Sequence, residues 1–345
     1  MRALTISAHG GLEQVAFRED VDQPEVTHPR AVRVRLHAAA LNHLDLWTIG
    51  GLPGISIKPP WTLGADGAGV VDAVGDAVTA VRVGDRVFIN PGISCRECEY
   101  CLAGEQSLCI RFAILGEHLP GTFADYVVVP EPNVRAIAAD TSWEEAAAYP
   151  LVTLTAWRAV VTRARVKAGE RVLIWGIGSG VAVAALQICK LLGAHVTVTS
   201  SSDHKLARAL ALGADEGLRH DQMEVGKEVR ARTGKRGVDV VIDSVGEKTW
   251  AQSLVALGKL GRLVTFGGTS GPKVETDVRR LFWDQWTIMG TTMGNDAEFD
   301  AITTAFRERT LKPVVDRVFA LEDGKAALAR LERREQFGKI VLHIA

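Results

Sequence analysis

The chain has 345 residues, room for two domains, or three, at about 150 residues each. Forty Lys and Arg against forty-one Asp and Glu give a formal net charge of −1, which removes the basic footprint of a nucleic-acid binder or a polybasic membrane-surface protein. With 47% hydrophobic and 23% charged residues, the composition excludes disordered, collagen-like and disulfide-scaffold chains. The N-terminal MRALTISAHGGLEQVAF lacks a sustained apolar core ahead of a small-residue cleavage site, so no secretory signal is expected. The expectation is a soluble, cytoplasmic protein that binds neither nucleic acid nor membrane.

Residues 1–150 read as β-rich. In Ala31–Ala38, Val32, Val34 and Leu36 alternate with Arg33, Arg35 and His37, the pattern of a half-buried strand. Glycine-bounded apolar runs follow in GADGAGVVDAVG (64–75) and GDRVFI (84–89), the rhythm of a barrel or sandwich. A loop at about 91–112 then carries Cys95, Cys98, Cys101 and Cys109 in the spacing C-x2-C-x2-C-x7-C. Four thiolates so close in sequence can close tetrahedrally on one Zn2+ and leave no position for water or substrate, so such a site is structural. Two disulfides and an iron–sulfur cluster compete with zinc; a reducing compartment disfavours the first, and common cluster spacings differ from this one. Cys189 reads as a small buried hydrophobe in a helix.

From 151 to 290 apolar strands alternate with helical patterns: Val172–Trp175, His195–Thr199, Val238–Ile242 and Leu263–Phe266 predict a parallel sheet with crossover helices. The uncharged stretch Val172–Cys189 is long enough to suggest a membrane span. Its internal Gly176, Gly178, Ser179 and Gly180, with Gln187 beyond, fit a buried strand, a turn and a helix better. Residues 291–345 predict helices around 297–308 and 322–334 and a terminal strand, Lys339–Ile344.

The turn after the first parallel strand is Gly176-Ile-Gly178-Ser179-Gly180-Val181, opening a helical pattern that runs to Leu192. A strand, a glycine turn and a helix N-terminus let backbone approach a pyrophosphate and present free N–H groups to it. The third glycine of G-x-G-x-x-G is displaced, with valine at 181 and glycine at 180. The second strand ends in Ser200-Ser201-Ser202, where an acid would hold the ribose 2′-hydroxyl of NAD. Asp203 comes three residues late and reads as the cap of the next helix. Small hydroxyls with His204 and Lys205 suit the 2′-phosphate of NADP(H), with NAD as the competing cofactor.

LGADGAGVVDAVG, the VGDRV turn, the cysteine loop, the nucleotide turn and GVDVVIDSVG (237–246) together resemble the medium-chain dehydrogenase/reductase superfamily. The resemblance covers essentially the whole chain and takes in the zinc alcohol dehydrogenases and their quinone oxidoreductase relatives. It implies an α/β chain with a GroES-like β-rich catalytic domain (1–150) and a Rossmann, doubly wound parallel-sheet domain (151–290). A C-terminal segment (291–345) would return to the catalytic domain. It further implies cofactor contacts at His43, Ser244, Val245, Gly267 and Gly268, and a homodimer or homotetramer formed through edge strands near Trp286–Thr291.

The family's catalytic zinc is held by a cysteine, the histidine of Gly-His-Glu and a later cysteine. The matching positions here are Asn42, Ala65 and Leu151, and Leu44 replaces the hydroxyl of the proton relay. Alanine and leucine cannot bind zinc, and a neutral amide is a poor ligand. Asp45 and Asp66 read as structural hydrogen-bonding residues. The segment Ala40-Leu-Asn42-His-Leu-Asp45-Leu-Trp47 resembles the quinone oxidoreductases, which reduce activated double bonds without a metal. The reading is therefore an NADP-linked oxidoreductase acting on a quinone, enone or similar acceptor. Asn42 would donate to the developing oxyanion, with Trp47 beside it and Trp61, Leu151 and Trp283 as pocket wall. An alcohol dehydrogenase or carbonyl reductase is the alternative, and a non-catalytic NADP(H)-binding protein a second one.

Overall fold

A computed structural model describes residues 1–345. They form two compact units, Met1–Val152 with Gly294–Ala345, and Thr153–Met293.

The first unit is built on a seven-stranded sheet. Its main path runs Val134–Ala136, Arg86–Ile89, Asp66–Val74, Ala31–Ala40, Lys339–His343, Val315–Ala320, and Tyr126–Pro130 also pairs with Ala31–Ala40. The alternation in Ala31–Ala40 works as its sequence dictates. Val32, Val34 and Leu36 are fully buried, while Arg33 on the opposite face reaches Asp72 at 2.7 Å. The terminal strand is antiparallel to Ala31–Ala40 and parallel to Val315–Ala320, so Ile340, Val341 and Leu342 are all buried. A three-stranded sheet of Val15–Arg18, Ala3–Ile6 and Trp61–Thr62 completes the β structure around one core. The helix Asp296–Arg307 opens with a reciprocal cap, Glu298 N–H to Asn295 Oδ1 and Asn295 N–H to Glu298 Oε2. Its Phe299 and Phe306 pack edge-on against Phe88, and Tyr149 donates its hydroxyl to Ile302 O at 2.8 Å. That aromatic cluster is how the C-terminal segment rejoins the sheet.

The second unit is a six-stranded, all-parallel sheet in the order Glu216–Arg219, His195–Ser200, Arg171–Ile174, Val238–Asp243, Leu257–Thr265, Thr287–Gly290. The uncharged stretch divides into the strand Arg171–Ile174 and the helix Gly180–Leu191, and no helix in the chain is long and apolar enough to cross a membrane. Glu216–Arg219 escapes a sequence reading because EGLR is not apolar. Leu257–Thr265 begins earlier than its apolar tail suggests, since Lys259, Leu260 (φ +59°) and Arg262 hide its irregular start.

Candidate functional site

In the first unit the four cysteine Sγ atoms all lie within 4.8 Å of one another, and Cys95 and Cys101 are 4.0 Å apart. A tetrahedral Zn–S4 centre with bonds of about 2.3 Å requires S···S edges of about 3.8 Å. Backbone amides face the sulfurs, Cys95 and Arg111 N–H donating to Cys109 Sγ and Cys98 N–H to Cys95 Sγ. Converging as a foursome rather than as two pairs, the cysteines fit a structural zinc.

Asn42, Asp45, Asp66 and Lys339 form a buried hydrogen-bonded network. Asn42 precedes the helix His43–Gly50. Its Oδ1 accepts from Lys339 Nζ at 2.6 Å, and its Nδ2 donates to Asp66 Oδ2 at 2.9 Å and to Ala40 O at 3.3 Å. Asp66 Oδ2 also lies 2.9 Å from Lys339 Nζ, and its Oδ1 accepts from Leu151 N–H at 2.9 Å. Asp66 is fully buried and Lys339 3% exposed, so a charge pair sits in the interior, with each charge compensated by the other. Asp45 accepts from Asn42 N–H at 2.7 Å. Burial pushes its carboxyl up to about 7 and the nearby Asp66 adds to this, against the amides of Asn42 and Gly64 and the Lys339 charge. Lys339 went unnoticed in the sequence, where it is one lysine at the start of an apolar strand.

Around this network, Leu151 is buried. Trp47 meets the His43 ring edge-on at 5.1 Å. Burial and the Arg334 charge hold the His43 imidazole below its ordinary pKa, so at neutral pH it offers an N–H rather than a charge. Trp61 lies in the core of the unit, its indole N–H donating to Gly116 O at 2.9 Å. Trp283 stands in the other unit, 76% exposed on the helix Val278–Trp283.

In that unit Gly176 (φ +67°) and Gly178 (φ +123°) adopt backbone angles that side chains disfavour. Ser179 caps the following helix, its hydroxyl accepting from Ala182 N–H. Gly180 and Val181 N–H then remain without intrahelical acceptors, which is the arrangement a pyrophosphate requires. The second strand ends at Ser200, whose Oγ accepts from Ser202 N–H. Ser202, and not Asp203, caps the next helix through Lys205 N–H. Asp203 is instead its first residue and pairs with Arg219, which also binds Asp221.

One further residue was missed. Asp243, fully buried at the end of the strand Val238–Asp243, accepts from Val245 and Gly246 N–H and from the hydroxyls of Thr249 and Ser253. It thereby shapes the Ser244–Gly246 turn, which the loop after Gly267 and Gly268 clasps through Thr269 N–H to Ser244 O and Ser270 N–H to Val245 O.

These features match known proteins. Residues 28–139 match the alcohol dehydrogenase GroES-like domain and residues 180–308 the zinc-binding dehydrogenase domain. A zinc-type alcohol dehydrogenase-like protein of Schizosaccharomyces pombe is 32% identical over 94% of both chains. Human quinone oxidoreductase is 28% identical, over 93% of this chain and 91% of its own. A crystal structure of an NAD-dependent alcohol dehydrogenase superposes with a TM-score of 0.95 at 46% identity, covering all of both chains. The chain belongs to the medium-chain dehydrogenase/reductase superfamily, with a GroES-like domain and a Rossmann-like domain. It is an NAD(P)-dependent oxidoreductase.

Proposed function

We propose that this oxidoreductase passes a hydride from NADPH to an acceptor activated by its own carbonyl, a quinone or an enone, without a catalytic metal. The observation that carries this reading is the donor set: an amide, a methyl and an isobutyl group stand at the three ligand positions, and the amide oxygen is bonded to an ammonium. A second cation would have to displace that ammonium against its own charge.

When bound, the nicotinamide supplies the hydride. The chain supplies the binding groups. Gly176, Gly178, Ser179, Gly180 and Val181 cradle the pyrophosphate. Ser200, Ser201 and Lys205 receive the 2′-phosphate, and Ser244, Val245, Gly267 and Gly268 line the remainder of the cofactor. Trp47 and Leu151 give the acceptor an apolar wall. Of the two Asn42 amide hydrogens, the one held at 3.3 Å by Ala40 O makes the weaker bond. It is the hydrogen a developing oxyanion would recruit.

Two features favour a second reading. The relatives named NAD-dependent alcohol dehydrogenase point to NAD and to an alcohol or carbonyl substrate, and the chain keeps a cysteine lobe. The parallel edge strand Thr287–Gly290 supports a homo-oligomer in either case. The deciding experiment offers quinones, enones, aldehydes and ketones with NADPH and with NADH, with metal content measured alongside. Quinone or enone reduction with NADPH at one zinc per chain is expected. Aldehyde or ketone reduction that requires a second zinc equivalent would overturn the reading.

A further inference from the structure

Asp66 touches two of the three residues to which the proposed acceptor site is assigned, Asn42 and Leu151. One carboxylate oxygen takes Leu151 N–H and the other takes Asn42 Nδ2. Lys339 closes the arrangement by bonding the free end of the Asn42 amide and the same Asp66 oxygen. Four separate segments are thus tied by one ion pair: the terminal strand, the cap of the helix His43–Gly50, the start of the strand Asp66–Val74, and the start of the helix Pro150–Trp157.

The orientation of an amide is set by its neighbours. An ammonium can only donate and an ionised carboxylate can only accept, so between Lys339 and Asp66 the Asn42 side chain has one allowed flip. Oδ1 must face Lys339 and Nδ2 must face Asp66. A cation on Oδ1 also draws electron density from the amide and strengthens its N–H groups as donors, as hydrogen-bond chains do in low dielectric. Resting on the acceptor reading above, we infer that Lys339 is a positioning residue of the reaction. It fixes the Asn42 amide with Nδ2 as donor and polarises that donor toward the acceptor oxygen.

The effect belongs to the stage at which negative charge develops, so it falls on kcat rather than on binding. Removing Lys339 alone would strand the Asp66 carboxylate in the interior. The test therefore removes both charges in Lys339→Met/Asp66→Asn and uses the zinc-loaded full chain with its best acceptor. A folded double variant is expected to lose at least tenfold in kcat, with acceptor KM and NADPH Kd within threefold. A kcat within twofold of the unaltered chain overturns the proposal. If the double variant does not fold, Lys339→Arg carries the test, because it keeps a charge and a donor. It is expected to retain at least ten times the kcat of Asn42→Ala, and a kcat as low as that variant's overturns the proposal. No turnover of any acceptor by the unaltered chain overturns the acceptor reading and this inference together. Turnover with an unaffected double variant overturns the inference alone.

Discussion

Arg96 and Asp296, two hundred positions apart, meet in a two-point ion pair, with Nη1 2.6 Å from Oδ2 and Nη2 3.2 Å from Oδ1. Arg96 sits inside the cysteine lobe with a left-handed φ of +64°. Asp296 is the first residue of the helix Asp296–Arg307, and Gln106 of the same lobe accepts from its N–H at 3.2 Å. The lobe therefore grips the N-terminus of a helix that packs on the main sheet.

That grip makes zinc removal a non-local event. Chelation, or Cys101→Ser, should loosen residues 95–109 and also the first turn of the helix Asp296–Arg307. Hydrogen exchange measured by mass spectrometry is expected to rise in both segments while the parallel sheet stays protected. Arg96→Ala, with zinc retained, should raise exchange in the helix turn only, and a partly exposed pair of this kind contributes about 1 kcal/mol or less. Unchanged exchange at 296–299 after zinc loss would contradict the coupling.

Asp45 gives stability a definite pH dependence. Its carboxyl is raised by burial from an ordinary value near 3.8 to about 7, so between those limits the folded chain holds a proton that the unfolded chain has released. Stability from this group is therefore lost as pH rises through that window, by up to about 1.4 kcal/mol per unit, and levels off above it. Asp45→Asn carries no charge to bury. Urea midpoints compared at pH 5 and pH 8 should show the variant gaining on the unaltered chain by at least about 1 kcal/mol at the higher pH. A difference that does not change with pH would remove Asp45 as the titrating group.

The clasp between the two loops proposed to line the cofactor predicts the effect of a single methyl group. Gly246 has φ +85°, and a Cβ there would lie 2.6 Å from Gly271 O and 3.1 Å from Gly268 Cα. Gly246→Ala must push the 267–271 loop away from the Ser244–Gly246 turn, costing about 1–3 kcal/mol in stability. NADPH Kd is expected to rise at least tenfold, measured by nicotinamide fluorescence. An unaltered Kd in a folded variant would detach these loops from the cofactor.

The cofactor preference responds to one side chain as well. Ser201→Asp places a carboxylate beside the position read as the 2′-phosphate site, and repulsion should weaken NADPH at least tenfold while leaving NADH within threefold. Equal loss of both cofactors would mean that residue 201 does not face the ribose.

What the sequence made legible was local. The cysteine spacing, the strand–turn–helix around Gly176 and the alternation in Ala31–Ala38 each lie within a few residues, and the folded chain keeps them together. The residues that align with the family's ligand positions, Asn42, Ala65 and Leu151, were readable by matching motifs. The partners that fill the space among them were not, because Lys339 lies 297 positions from Asn42 and 273 from Asp66. Asp243 was hidden differently: its four donors are nearby in sequence, yet Thr249 and Ser253 look like ordinary helix residues until their hydroxyls turn inward. The cap of the helix after the second parallel strand was misplaced by one residue, since serine and aspartate cap equally well and only the backbone angles decide.

The terminal strand also constrains the order in which the chain can be made into a protein. Lys339–His343 lies between Ala31–Ala40 and Val315–Ala320 in the large sheet, so that sheet stays open until residues 339–343 have been made. The unit Thr153–Met293 has all its strands while residues 294–345 are still to be translated. Domains fold as units as they emerge from the ribosome. Here the unit Thr153–Met293 can settle first, while Ala31–Ala40 must wait for residues 339–343 to arrive.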